Sequence, residues 1–211
     1  YYTKEFLESL GCEVIPLFDE KDGLFRRPPE PVAANLAKLC ETVTANGCAV
    51  GFAQDPDGDR ISLVDECGHA LGEQYSTLIP ALRVLQRNRG PVVANIQTTK
   101  ALGDLAARFD VPVFYSKVGE VNVAEAMRLR GAVFGCEGGS GGILWSEVHP
   151  CRDSFSAMAL TLEELALSRK KVSEIMSGMS HYCSAVRKLP CSAQGANQAL
   201  RAIAKRYTAR K

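Results

Sequence analysis

Apolar and polar positions alternate between helical and strand spacing along most of this 211-residue chain. Phe6, Leu7 and Leu10 form a helical stripe, and Gly11 supplies a stop signal. Residues 12–17 read as a strand, and the polar, Gly- and Pro-rich stretch 19–31 as a loop. From Pro31 onward Val32, Leu36, Leu39, Cys40 and Val43 share one face, which predicts an amphipathic helix opened by proline. Residues 48–53 and 60–65 predict two further strands. The second half repeats the alternation: helix 75–84 with its exit at Gly90, strand 91–96, helix 100–108, strand 111–115, helix 121–130, strand 131–136 and the apolar run 143–145. A helix then opens at Arg152-Asp153-Ser154, with Asp153 or Ser154 as N-cap and Phe155, Met158, Ala159, Leu162, Leu165 and Ala166 as its buried face.

Strands alternating with helices predict an α/β protein. The expected architecture is two consecutive α/β domains, residues 1–72 and 73–175, with mixed, largely parallel sheets sandwiched by helices. Residues 176–211 form a partial third unit, entered at Ser177-Gly178, with a strand at 181–187 and a basic helix at 196–207. Composition narrows the class. The chain is 46% hydrophobic and 23% charged, as ordinary globular domains are. A net charge of +1 gives no electrostatic case for nucleic acid or anionic membrane as a partner. No apolar run approaches the roughly 20 residues of a membrane helix. The eight cysteines form no CxxC pair and lie mostly in apolar runs, so buried thiols in a reducing cytoplasm are expected over a disulfide framework.

Candidate chemistry concentrates in Asp55-Pro56-Asp57-Gly58-Asp59-Arg60, between two predicted strands. Three carboxylates at alternate positions are hard oxygen donors suited to Mg²⁺ or Ca²⁺. Pro56 and Gly58 favour a tight curl that converges them. Such crowding raises the protonation of one carboxyl unless a cation is present. Asp, Pro and Gly are also ordinary turn residues, so an acidic surface turn is the competing reading. An EF-hand is rejected: its sixth position would be Arg60 and its seventh begins an apolar strand. A second candidate is Glu137, at a predicted strand end, followed by Gly138-Gly139-Ser140-Gly141-Gly142. It reads either as a loop binding sugar hydroxyls or as a flexible linker, and neither nucleotide-binding fingerprint fits.

Strand, Asp-Pro-Asp-Gly-Asp-Arg, strand resembles the metal loop of the α-D-phosphohexomutases, which interconvert the 1- and 6-phosphates of hexoses. Residues 10–17 and 28–36 are similar to the strand and the Asn-Pro-Glu-Pro helix start of that family's second domain. Glu137 to Gly142 is similar to the family's sugar-recognition loop, with one extra glycine, and residues 116–120 resemble its Thr-x-Val-Gly turn. The resemblance implies Mg²⁺ on Asp55, Asp57 and Asp59, phosphate pairing at the catalytic Arg60, and hexose hydroxyls on Glu137 and on Gly139 or Ser140. Lys117 and Glu120 are further candidates near the sugar. It implies a hexose or hexosamine phosphate substrate and a cytoplasmic monomer or homodimer.

The family's phosphoserine loop and fourth-domain phosphate loop are not present among these residues, and the chain begins at Tyr1. The expectation is therefore a fragment of a phosphohexomutase, inactive alone, covering the middle two of four domains and the start of the last. The alternative is a non-catalytic module that binds metal or sugar phosphate.

Overall fold

The computed structural model describes residues 2–184 and 190–208. Strands β1 (Val50–Gln54) and β2 (Ile61–Asp65) pair antiparallel, with Gln54 opposite Ile61. Asp55 to Arg60 is therefore the turn of a hairpin. All five residues of β2 are buried. Helix α1 (Tyr2–Ser9) contributes Leu7 to the main core, and α2 (Ala37–Asn46) packs Val43 with Leu36, Ala53 and Val64.

After α3 (Gly72–Ser76) and α4 (Leu78–Arg87) comes a four-stranded sheet in the order β4-β3-β5-β6. Strands β3 (Val92–Asn95), β4 (Val113–Ser116) and β5 (Phe134–Glu137) are parallel, and β6 (Gly142–Trp145) is antiparallel to β5. Helices α5 (Ala101–Ala107) and α6 (Glu120–Arg130) make the crossovers. The chain leaves β3 to one side for β4 and returns past it for β5. The carboxyl ends of β3, β4 and β5 thus surround a switch point, where open α/β sheets bind ligands. Helix α7 (Ser154–Ser168) packs on α4 and β6, followed by α8 (Val172–Ser177) and the exposed α9 (Ala193–Thr208). The fold is the expected mixed, largely parallel α/β arrangement, and its largest apolar cluster runs from Leu7, Ile61 and Leu63 to Phe134, Met158 and Met179.

Five expectations need correction. Residues 12–17 pack Cys12 and Val14 onto the core but form no strand. Alternation reports which face is buried, whereas a strand needs a neighbouring backbone, and Pro16 lacks a donor. The first unit is consequently an antiparallel hairpin. The stretch 31–43 divides into a 3₁₀ turn (Ala33–Asn35) and α2. In α7 the buried positions are Ser154, Ser156, Ala157, Met158, Leu160, Thr161 and Glu164, while Leu165 is half-buried and Ala166 exposed. Met158 is fully buried, and Leu162 and Leu165 pack partly on the core as expected, but with α4 on one side and the core on another the buried stripe shifts toward Ala157, Leu160, Thr161 and Glu164. Finally, Cys136 is the only buried cysteine, and Cys67, Cys151, Cys183 and Cys191 are exposed free thiols. Residues 181–184 are not strand, and 185–187 of that expected strand lie outside the described residues.

Candidate active site

The hairpin turn curls as its sequence demands. Gly58 has a left-handed φ of 73°, and its amide donates to the Asp55 carbonyl at 3.2 Å. The curl brings one carboxylate oxygen each from Asp55, Asp57 and Asp59 within 4.8 Å of one another. Asp55 is buried, Asp59 half-buried and Asp57 exposed. Arg60 folds back on the turn: its amide donates to Asp55 Oδ1 at 3.1 Å, and its Nε to Oδ2 at 2.5 Å. Burial alone would lift the Asp55 carboxyl, but the Arg60 amide, Asp57 and the Arg60 guanidinium outweigh it and hold Asp55 below its ordinary range. Asp59 goes the other way. Burial and the two neighbouring carboxylates push it up against the pull of Arg152 and Arg60. Crowded carboxylates are thus split in affinity for a proton, as repulsion requires.

The glycine run is a packed loop, which excludes the linker reading. Gly141 is buried with φ 74°, and its carbonyl accepts the Ile61 amide at 3.2 Å, joining this loop to the hairpin. A Cβ on Gly142 would lie 2.3 Å from Arg152 Cδ, and one on Gly138 2.8 Å from Thr98 Cγ2. Gly139 is exposed and Ser140 half-buried at the tip. Ser140 Oγ donates to the Glu137 carbonyl at 3.1 Å.

Glu137 ends β5 with its side chain 5% exposed. Its Oε1 accepts Asn95 Nδ2 at 2.9 Å and the Gly119 amide at 2.7 Å. Among the described residues its Oε2 accepts only Arg152 Nη1, at 3.2 Å. A carboxylate offers about four lone-pair positions, so one position on Oε2 is open to a further donor. The turn after β4 thereby reaches Glu137 through Gly119, while the exposed ammonium of Lys117 joins none of these contacts. Glu120 reaches Glu137 through Arg152: its Oε1 accepts the Arg152 amide at 2.8 Å, and its Oε2 lies 3.4 Å from the Arg152 Nε.

Arg152 is the residue that sequence reasoning passed over. Its Nη2 pairs with Asp59 and its Nη1 with Glu137, so one guanidinium spans the acidic turn and the glycine loop. Asp153 caps α7 by accepting the Phe155 and Ser156 amides. Ser154 Oγ accepts Gln54 Nε2 at 2.7 Å and donates to the Gly58 carbonyl. The first turn of α7 is therefore a clamp on both loops. Asn95 was also missed, although its place at the carboxyl end of a predicted strand was a readable signal. Nothing local distinguishes Arg152 from any surface arginine ahead of a capped helix.

The donor set fits a hard divalent cation. It consists of carboxylate oxygens only, and Asp59 Oδ1 is buried without a hydrogen bond, with Arg60 Nε at 3.5 Å.

The fold and site define a class: an α/β protein whose acidic hairpin turn meets a glycine-rich strand-end loop over parallel-strand carboxyl ends. Residues 72–182 match the family described as phosphoglucomutase/phosphomannomutase, alpha/beta/alpha domain III, and residues 1–68 match its domain II. The chain is 34% identical over 191 residues to the "Probable phosphoglucosamine mutase" of Methanosarcina barkeri, covering 90% of this chain and 43% of that one. It is 35% identical over 178 residues to the phosphoglucomutase/phosphomannomutase of Thermococcus kodakarensis, covering 83% of this chain and 39% of that one. The crystal structure of a phosphoglucomutase/phosphomannomutase family protein from Burkholderia thailandensis superposes with a TM-score of 0.76 at 25% identity, covering 87% of this chain and 40% of that one. The chain belongs to the phosphoglucomutase/phosphomannomutase family, in the α-D-phosphohexomutase superfamily. It spans about two-fifths of the length of these relatives.

Proposed function

We propose that this chain is the central part of a phosphohexomutase that moves phosphate between the 1- and 6-positions of a hexose or hexosamine, through a phosphoserine enzyme and a bisphosphorylated sugar. Residues 1–72 form its metal-binding unit, 73–175 its sugar-binding unit and 176–211 the start of a further unit. The observation that carries this reading is the Arg152 bridge from Asp59 to Glu137, because one guanidinium joins the acidic turn to the glycine loop.

Asp55, Asp57 and Asp59 hold Mg²⁺. When bound there, Mg²⁺ supplies charge neutralisation for phosphoryl transfer. Arg60, anchored through Nε by Asp55, offers its Nη groups to phosphate oxygens. Glu137 accepts a sugar hydroxyl on the open position of Oε2, with the Gly139–Ser140 tip beside it, and Glu120 keeps Arg152 aligned. The 211 residues include neither the serine loop nor the fourth-domain phosphate loop, so this chain alone binds without turning over.

Calorimetric titration of the chain with Mg²⁺ tests the reading. Asp57 is exposed, so Asp57→Asn keeps the fold while weakening Mg²⁺ at least about tenfold. Glu137→Gln weakens a hexose 1,6-bisphosphate by a similar factor with Mg²⁺ affinity unchanged. Equal Mg²⁺ affinity in wild type and Asp57→Asn sinks the metal assignment. Mutase activity of the longer protein that survives Asp57→Asn at wild-type rates sinks the catalytic one.

A further inference from the structure

A second group of potential ligands lies at the other end of β2, five residues along the strand from the acidic turn. Asp65, Cys67 and His69 each bring one ligand atom within 4.8 Å of the other two. Their types differ from the first group: one carboxylate, one thiol and one imidazole. Asp65 is the buried, fixed member. Its Oδ1 accepts the Cys67 and His69 amides at 3.0 and 2.8 Å, and its Oδ2 lies 3.3 Å from His69 Nδ1. That last separation is a long hydrogen bond. It is also the edge of a tetrahedron built on Zn–N and Zn–O bonds of about 2.0 Å, which comes to roughly 3.3 Å. Cys67 is exposed, and its Sγ already lies within 4.8 Å of the other two ligand atoms.

Glu66 accepts from the Cys67 thiol at 3.7 Å, and also from Ser173 through its Oγ and, at 3.3 Å, its amide. The turn is therefore anchored to the first residues of α8.

We propose that Asp65 Oδ2, Cys67 Sγ and His69 Nδ1 form a binding site for Zn²⁺ or another borderline-soft divalent cation, with a water at the fourth position. Thiolate and imidazole select such an ion over Mg²⁺. Cys67 enters as thiolate, its proton going to solvent, and His69 enters as neutral imidazole with its remaining proton on Nε2. The comparison within the chain is instructive. His149, Cys151 and Asp153 have the same residue types at the same spacing in reverse order. There the Asp153 carboxylate caps α7, His149 Nδ1 accepts the Cys151 amide at 3.3 Å, and His149 Nε2 lies 3.5 Å from Asp153 Oδ2. Among the described residues that second set does not bring all three ligand atoms together.

Cobalt(II) titration of the reduced chain in excess Mg²⁺, which occupies the acidic turn, tests the site. One equivalent of Co²⁺ is expected to give a thiolate-to-cobalt charge-transfer band that Zn²⁺ displaces. Cys67→Ser is expected to abolish the band, and His69→Ala to weaken Co²⁺ at least about tenfold. Both residues are exposed, so the fold survives either change, as far-UV circular dichroism verifies. Cys151→Ser is expected to leave the band unchanged. A wild-type chain without the band, or a band that persists in Cys67→Ser, overturns the proposal.

Discussion

Gly141 carries more of the site's geometry than its lack of a side chain implies. A Cβ there would lie 2.2 Å from the Ile61 carbonyl oxygen, and φ is 74°. Gly141→Ala therefore costs about 3 kcal/mol, from left-handed strain and overpacking together. Gly139 two residues away is exposed, and the nearest atom to its Cβ would be Gln97 Oε1 at 3.3 Å, the end of a flexible side chain. Gly139→Ala stays within about 0.5 kcal/mol. Urea denaturation of both variants decides the matter; equal losses would mean the loop is not packed on the hairpin. At this scale the sequence was legible where chemistry is dense and local. Three aspartates in five residues, and a carboxylate ahead of a glycine run, announce themselves. Arg152 did not, because its three acidic partners lie 15, 32 and 93 positions away.

Helices show the same division at the scale of elements. The N-cap of α7 was readable, since Asp153 meets amides two and three residues ahead. Its buried face was readable only in part. Met158, Leu162 and Leu165 reach the core, but Ala159, Leu162 and Ala166 also line a surface groove with Leu10 and Trp145. Beside the α4–α7 seam, Glu163 receives Arg83 and Arg87, with Arg83 Nε 3.0 Å from its Oε2. Partial burial lifts the Glu163 carboxyl, but the two guanidiniums prevail and hold it below its ordinary 4.5. A carboxyl whose folded pKa is depressed adds stability above its unfolded pKa, and that stability fades as pH falls through the folded value. Glu163→Gln is thus expected to melt earlier than wild type at neutral pH, with the gap closing steadily below pH 4.5. A gap in melting temperature that is constant from neutral pH to about pH 3 would remove the ion triad from the account.

Across the whole molecule, hairpin and four-stranded sheet share one apolar core, from Leu7 to Met179. Cys136 sits in it fully buried, and desolvation pushes its thiol up to about 12. Native alkylation near pH 8 should modify Cys67, Cys151, Cys183 and Cys191 and spare Cys136 until denaturant is added, as peptide mass spectrometry can follow. Zn²⁺ should then protect Cys67 alone among the exposed four. Rapid labelling of Cys136 in the native chain would mean that the shared core opens. The sequence by itself determined most of the strands and helices between α2 and α7, the acidic turn and the glycine loop, because each depends on residues within a few positions of one another. Tertiary structure decided the pairing of β1 with β2, the buried face of α7, the packing of Gly141 on Ile61 and the reach of Arg152 across both loops. Those depend on which distant backbones and charges come to lie side by side, and no local pattern encodes that distance.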